Sequence, residues 1–446
     1  MFRIFLVLAA LAALSWSFFF HWERAKTQAT PVGNDFSERR IALLERENER
    51  LRALVSASEQ ARTAAAAAIQ RKEIEQAVEG IREVRFTKPV DYKVLGRTEI
   101  QGVISRKMSE VYSEADFLHL GAAYARLGLL PADFPLRQTF VDLLGEQVAA
   151  FYDQHTGGLY MFADATLQNA QNRIVLAHEL THALTDQHFS LAKLPLETKT
   201  NDDQASAASA LVEGDATVVM SAYMLQNLSL GALKDNLSAA VGQDMKLLQR
   251  APRFLRETLV FPYLRGQEFC SALMAEGGWD AINDAYANPP ASTSQILHPR
   301  KYLDHPREDP LRVPGEPLSI RGKPPTVDNV LGEFAIRIHL AETLGDEHPA
   351  ARTAEGWRGD RYLAWGRGEA LVWQTLWSSE SEAAEFFAAE QLVLEKRYRP
   401  AKARRDTDLY EVDAPRYLRL VREGLGVRLV DVPDAAWGRE VEGVLR

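Results

Sequence analysis

The chain has 446 residues, enough for two or three folding units. A formal net charge of -9 argues against nucleic acid as the main partner, and 46% apolar with 25% charged residues is ordinary for a globular protein. The single cysteine, Cys270, excludes an internal disulfide and a Cys-x-x-Cys zinc site, so a metal here must be held by histidine and carboxylate.

Arg3 precedes an apolar run from Ile4 to Phe20 that ends among Trp16, Phe18, Phe19 and Trp22. As a helix this run spans about 25 Å, near the short limit for crossing a bilayer, and its aromatic end suits the membrane interface. Residues 1–22 are therefore expected to be an uncleaved anchor, making the protein single-pass with its bulk outside the cytoplasm. A cleaved signal peptide, leaving a secreted chain, is the alternative: Ala13 and Ser15, or Ser15 and Ser17, offer small residues for cleavage.

Thr27 to Asp35 reads as a linker. Residues 36–84 then read as a polar helical stalk rich in Glu, Arg and Ala. Ile41, Leu44, Asn48, Leu51 and Val55 alternate spacings of three and four, a short heptad seam that can pair two copies of the chain as a homodimer. A solvated stalk, or a helix lying on the main domain, fits the same residues.

Residues 87–310 are expected to form the core and 311–446 a small C-terminal α+β unit. Arg106 to Leu127 reads as one helix ended by Gly128 and Pro131, and a further helix is expected from about Arg137 to Leu144. Gln147–Asp153 and Leu159–Phe162 flank Gly157-Gly158 and read as a β-hairpin, with Leu159–Ala163 expected to take a substrate peptide as an added strand. Asp164 or Thr166 is expected to cap a helix running to His188.

That helix carries His178, Glu179 and His182, the pattern His-Glu-x-x-His, among Ile174, Val175, Leu176, Ala177, Leu180, Ala183 and Leu184. Residues four apart lie one turn apart on the same face, so both imidazoles can reach one metal ion. Glu179 leaves the backbone one residue after His178 and suits a general base acting on water beside that metal. A catalytic zinc needs a third protein ligand. Asp202 or Asp203 opens a second helix, to about Leu228, that holds Glu213 among Ala207, Ala208, Ala210, Gly214 and Ala216. Glu213 is the expected third ligand; His188, Asp215 or a remote residue are the competing choices. Gly214 inside a helix suggests close packing, here expected against the histidine helix.

These motifs resemble a zinc metallopeptidase of the gluzincin type, the group that includes thermolysin-like enzymes and aminopeptidase N. Leu211-Val-Glu-Gly-Asp-Ala216 resembles the glutamate-glycine-x-alanine stretch of the aminopeptidases. Ala177–Phe189, Ala150–Asp153, Pro289–Pro299 and Gly356–Tyr362 are similar to a family of bacterial and archaeal proteins of uncharacterised function. The resemblance covers about Thr87 to Glu390. It implies an α+β fold, a mainly helical zincin-like core with a small β-sheet, in which His178, His182 and Glu213 bind Zn²⁺ and Glu179 is the base for hydrolysing a peptide or protein substrate. Thr217 stands where the thermolysin pattern has an aspartate, so the partner that orients the histidines is open between Asp215 and Asp186.

Farther on, Phe254–Phe261 reads as amphipathic, and Phe269–Tyr286 as a helix broken at Gly277-Gly278. Asn288-Pro-Pro opens a loop with His298 and Tyr302. The resemblance implies a histidine or tyrosine opposite the zinc, and His298 and Tyr302 are the candidates. Asp304–Pro325 reads as a connector, Asn329–Leu344 as a helix and Gly356–Tyr362 as turn-like. Glu369–Trp377 is expected as a strand, Ser381–Glu395 as a helix, and Tyr417–Val421 and Val427–Val430 as strands. The alternative to an enzyme is a membrane-tethered envelope scaffold or chaperone-like protein with a structural or vestigial zinc site.

Overall fold

The computed structural model describes residues 35–147, 150–162, 166–227, 246–313 and 318–445. The expected membrane segment and most of the linker after it lie outside the described residues. Among those described, no helix is long and apolar enough to cross a membrane.

Helix α1 spans Asp35–Arg82. Ile41, Leu44, Leu51, Val55 and Ile69 are exposed along it, whereas Ile74, Val78 and Ile81, three and four residues apart, are buried at its C-terminal end. The stalk helix therefore finishes inside the protein. Strand β1 (Asp91–Leu95) follows. The helix expected over Arg106–Leu127 is two helices, α2 (Arg97–Val111) and α3 (Glu114–Arg126). Ser113 interrupts it: its Oγ accepts from Asp116 N at 3.1 Å while the Asp116 carboxylate accepts from Ser113 N at 2.9 Å. That reciprocal cap starts a new helix.

After α4 (Leu136–Gln147) come β2 (Ala150–Asp153) and β3 (Gly158–Phe162), which pair antiparallel with Asp153 opposite Gly158. The sheet order is β1-β3-β2, with β1 parallel to β3 from Asp91↔Gly158 to Leu95↔Phe162. This corrects the expectation that Leu159–Ala163 takes an added strand. Both edges of β3 are already paired, so β2 and β1 form the sheet edges.

Helix α5 (Ala170–Phe189) starts later than expected, capped by the Asn169 side chain, which accepts from Gln171 N at 2.8 Å. Two 3-10 turns, Leu191–Lys193 and Pro195–Glu197, lead to α6 (Asp202–Asn227). Helix α7 (Lys246–Arg250) precedes the long α8 (Arg253–Ala287), which runs through Pro262 and kinks at Gly277 and Gly278. The stretch read as a loop with His298 and Tyr302 is two short helices, α9 (Thr293–Leu297) and α10 (Pro299–Leu303).

The C-terminal part comprises β4 (Val327–Asn329), α11 (Gly332–Leu344), α12 (Glu347–Glu355), β5 (Trp357–Trp365), β6 (Ala370–Trp377), α13 (Glu380–Tyr398), β7 (Arg404–Asp406), β8 (Leu409–Val412), β9 (Tyr417–Glu423), β10 (Gly426–Val432) and α14 (Ala435–Val444). The strands form a seven-stranded antiparallel sheet, β4-β5-β6-β10-β9-β8-β7. The fold is α+β. Most of the turn-like stretch Gly356–Tyr362 is the start of β5. Its second glycine makes room for a neighbour: a Cβ on Gly359 would lie 2.1 Å from Leu311 O, so the residue admits a close backbone neighbour beside a bulge. One apolar cluster joins Met108, Tyr124 and Phe140 to Tyr362, Trp373 and Leu420, so the N-terminal helices and the C-terminal sheet share a core.

Candidate metal centre

Helix α5 is buried on nearly all sides, with Ile174 through Thr185 within the interior. Its apolar residues meet α1, β2, β3 and α6 in one cluster. Polar side chains cost free energy in such a place unless they are paired or bind a metal. His178, Glu179, His182 and, on α6, Glu213 are all 0–2% exposed.

The histidine Nε2 atoms lie 3.0 Å apart. Glu213 Oε2 lies 3.0 Å from His178 Nε2 and 3.6 Å from His182 Nε2. These residues form a group able to hold a metal ion. The donor set fits zinc in kind, and its spacing fits too. Tetrahedral bonds of about 2.0–2.1 Å place ligand atoms about 3.3 Å apart, within the range of these separations. Among the described residues, these three buried atoms meet one another and share no further partner.

Glu179 stands beside this set. Its Oε2 accepts from Tyr152 N at 2.8 Å, which ties it to the edge strand β2, while Oε1 is buried without a hydrogen bond. Burial pushes its carboxyl up to about 8; His182 and the Tyr152 N–H oppose the rise and the Glu213 carboxylate adds to it. Burial alone would also raise Glu213, yet the adjoining His182 and His178 hold it below the usual carboxylate range. A cation among the ligand atoms would lower Glu179 in turn, toward a value suited to a base near neutral pH.

Arg82, at the end of α1, reaches the other side of α6. Its Nε donates to Asp215 Oδ1 at 3.0 Å and its Nη2 to Asn283 Oδ1 at 2.7 Å, and its guanidinium lies 4.4 Å from the Trp279 ring centre. Tyr286 adds a hydroxyl to Asp215 Oδ2 at 2.9 Å. Asp186 accepts from the Tyr152 hydroxyl at 2.7 Å and from Leu191 N at 2.8 Å. Thus Asp215 and Asp186 each have partners other than the histidines, and both Nδ1 atoms are buried without a hydrogen bond. His188 Nε2 lies 2.8 Å from Arg85 O, outside the set.

Gly214 marks a close crossing, but not with α5. A Cβ there would lie 2.2 Å from Gly266 O, and one on Gly266 would lie 2.1 Å from Ala210 O, so α6 packs most tightly on α8. The crossing brings Tyr263 of α8 near the site, its ring centre 6.0 Å from that of His178. Sequence reasoning missed Tyr263 and Arg82; neither belongs to a motif.

His298 and Tyr302 make their contacts elsewhere. His298 Nε2 lies 2.8 Å from Glu333 Oε1 and also meets Arg337, while the Tyr302 hydroxyl donates to Asn288 O at 2.8 Å. The structure does not bring either residue into the histidine–glutamate set. A cleft of about 740 Å³ lies apart from it too, lined by Lys301, Glu308, Arg352, Glu355, Glu382 and Glu385 among others.

Residues 323–442 match a family described as a domain of unknown function, DUF8575. The match takes in the C-terminal sheet and leaves His178, His182 and Glu213 outside. Within it, Asp360 accepts from Leu331 N, Gly332 N, Trp357 Nε1 and Trp373 Nε1, a bracing role for a buried carboxylate. No curated protein and no solved structure matches the chain.

Proposed function

We propose that the chain is a zinc metallopeptidase with a zincin-like core, tethered to a membrane by its N-terminal segment and acting outside the cytoplasm. The observation that carries this reading is the meeting of His178, His182 and Glu213 with Glu179 alongside. When bound, zinc supplies a Lewis acid that polarises a peptide carbonyl and acidifies water. Glu179 takes the proton from the attacking water through Oε1 and delivers it to the leaving amine. The Tyr152 N–H holds the other carboxylate oxygen and so fixes the direction of Oε1. Held by these three residues, a zinc would keep a further position for water, as a catalytic site requires and a closed structural site does not.

One observation favours a second reading, a membrane-tethered scaffold with a structural metal: the whole set is nearly closed to solvent. Elemental analysis of the purified full chain and of Glu213→Ala, together with hydrolysis of a quenched fluorescent peptide mixture by the parent and Glu179→Gln, separates the two. About one zinc per chain, lost in Glu213→Ala, with cleavage lost in Glu179→Gln, supports the peptidase. Zinc without cleavage in the parent supports the scaffold, and absence of zinc after metal is supplied overturns both.

A further inference from the structure

The exposed part of α1 carries an apolar seam that no other described residue covers. Ile41 is 55% exposed, Leu44 60%, Leu51 51% and Val55 56%. We infer that this seam binds a second copy of the same chain as a parallel, in-register, two-stranded coiled coil, with Asn48 facing Asn48 of the partner across the axis.

The residue types select the number of strands. Taking Ile41, Asn48 and Val55 as the a positions and Leu44 and Leu51 as d, the seam has β-branched residues at a and leucine at d, the combination that favours two parallel strands. A single asparagine at a favours the same state and fixes register, because only a partner asparagine satisfies it.

The flanking charges select the direction. In a parallel pair, each g residue faces the e residue of the next heptad on the other helix. Arg40 at g then faces Glu45 at e, and Glu47 at g faces Arg52 at e. Both pairs are opposite in sign, and two-fold symmetry repeats each of them. Within one chain Glu47 makes a loose contact with Arg50, 3.8 Å away and exposed. Ser58 and Arg62, at the next d and a positions, end the seam. The parallel arrangement also sends both copies of the apolar run Ile4–Phe20 to the same end, which suits two chains in one membrane. The buried residues Ile74, Val78 and Ile81 begin farther along α1, so pairing leaves the packing around the metal set untouched.

The test uses the full chain in detergent. Sedimentation equilibrium should give twice the 49.9 kDa chain mass. Leu44→Cys should cross-link to a dimer under mild oxidation, because like d positions meet only in a parallel pair; Cys270 is buried and should give no background. Glu47→Arg and Arg52→Glu should each weaken dimerisation by about tenfold, since each turns attractive pairs repulsive. Mixed together, the two variants should form a heterodimer in which both pairs are attractive again. A monomer that does not cross-link overturns the inference. So does a dimer unaffected by either variant, and so does a mixture that fails to recover: these place the contact elsewhere or in the opposite direction. A mass above two chains, or capture of a different protein by the seam, also overturns it.

Discussion

Arg82 Nε lies 3.0 Å from Asp215 Oδ1, with both side chains fully buried. Asp215 sits two residues beyond Glu213 on α6, so the last residue of the stalk helix is clamped to the helix that carries the third member of the metal set.

Removing Arg82 strands a buried carboxylate, which costs about 3–5 kcal/mol in comparable pairs. Arg82→Met should therefore lower the thermal midpoint sharply and weaken zinc binding through displacement of α6. Arg82→Lys, which keeps the charge but loses contact with Asn283, should fall between. Calorimetric melting with and without zinc reads both effects. Parent-like melting of Arg82→Met would show that the pair contributes little.

Zinc should stabilise the parent and not Glu213→Ala. A ligand bound only by the folded state adds about 2.7 kcal/mol at one hundred times its dissociation constant. Chelation should lower the parent's melting midpoint correspondingly. In the variant, chelator and zinc should make no difference, because two histidines on one helix hold the ion poorly.

Glu179→Gln should keep zinc and the Tyr152 contact while peptide turnover falls about 10²–10⁴-fold. Equal zinc content beside undiminished turnover would remove Glu179 from the chemistry.

Gly214→Ala should be strongly destabilising even though alanine is the better helix former. Its methyl would meet the backbone of Gly266, not a side chain that can turn aside. Overpacking of this kind costs about 1–3 kcal/mol, sometimes more. Chemical denaturation measures it, and Gly266→Ala should behave alike.

The hairpin beneath Glu179 should set part of the acid sensitivity. Burial pushes the Asp153 carboxyl up, but the Lys107 ammonium 2.7 Å away, the Thr156 hydroxyl and the His155 N–H more than offset it and hold its pKa below the usual carboxylate value. A lowered folded pKa stabilises the fold above the unfolded value of about 3.9, and that stability is lost as pH falls through the folded value. Lys107→Met should therefore be less stable than the parent at pH 5–7, and the two should converge as pH falls through the lowered folded value. Urea denaturation across that range checks the sign. Curves that stay parallel would exclude the pair as the cause.

What was legible in the sequence is what depends on short spacing. The four-residue interval of His178 and His182, the apolar surround of α5, the hairpin at Gly157-Gly158 and the helix holding Glu213 all follow from local periodicity and turn chemistry. Periodicity also located the apolar residues that α1 leaves exposed, because their spacing repeats within a few turns. Even the convergence of Glu213 on the histidines could be anticipated, since a metal set demands a third donor and few buried-looking carboxylates were available.

Tertiary structure decided everything that rests on contacts between distant residues. It put β1 alongside β3 and so closed the edge where a peptide was expected. It led Arg82 to Asp215, matched Gly214 with Gly266 instead of with α5, and turned Gly356–Tyr362 largely into strand. It also gave His298 to Glu333 and Tyr302 to Asn288. Each outcome depends on which surfaces meet after the chain closes on itself. A glycine that makes a turn and a glycine that admits a neighbouring backbone are the same residue in the sequence, and only the neighbour tells them apart.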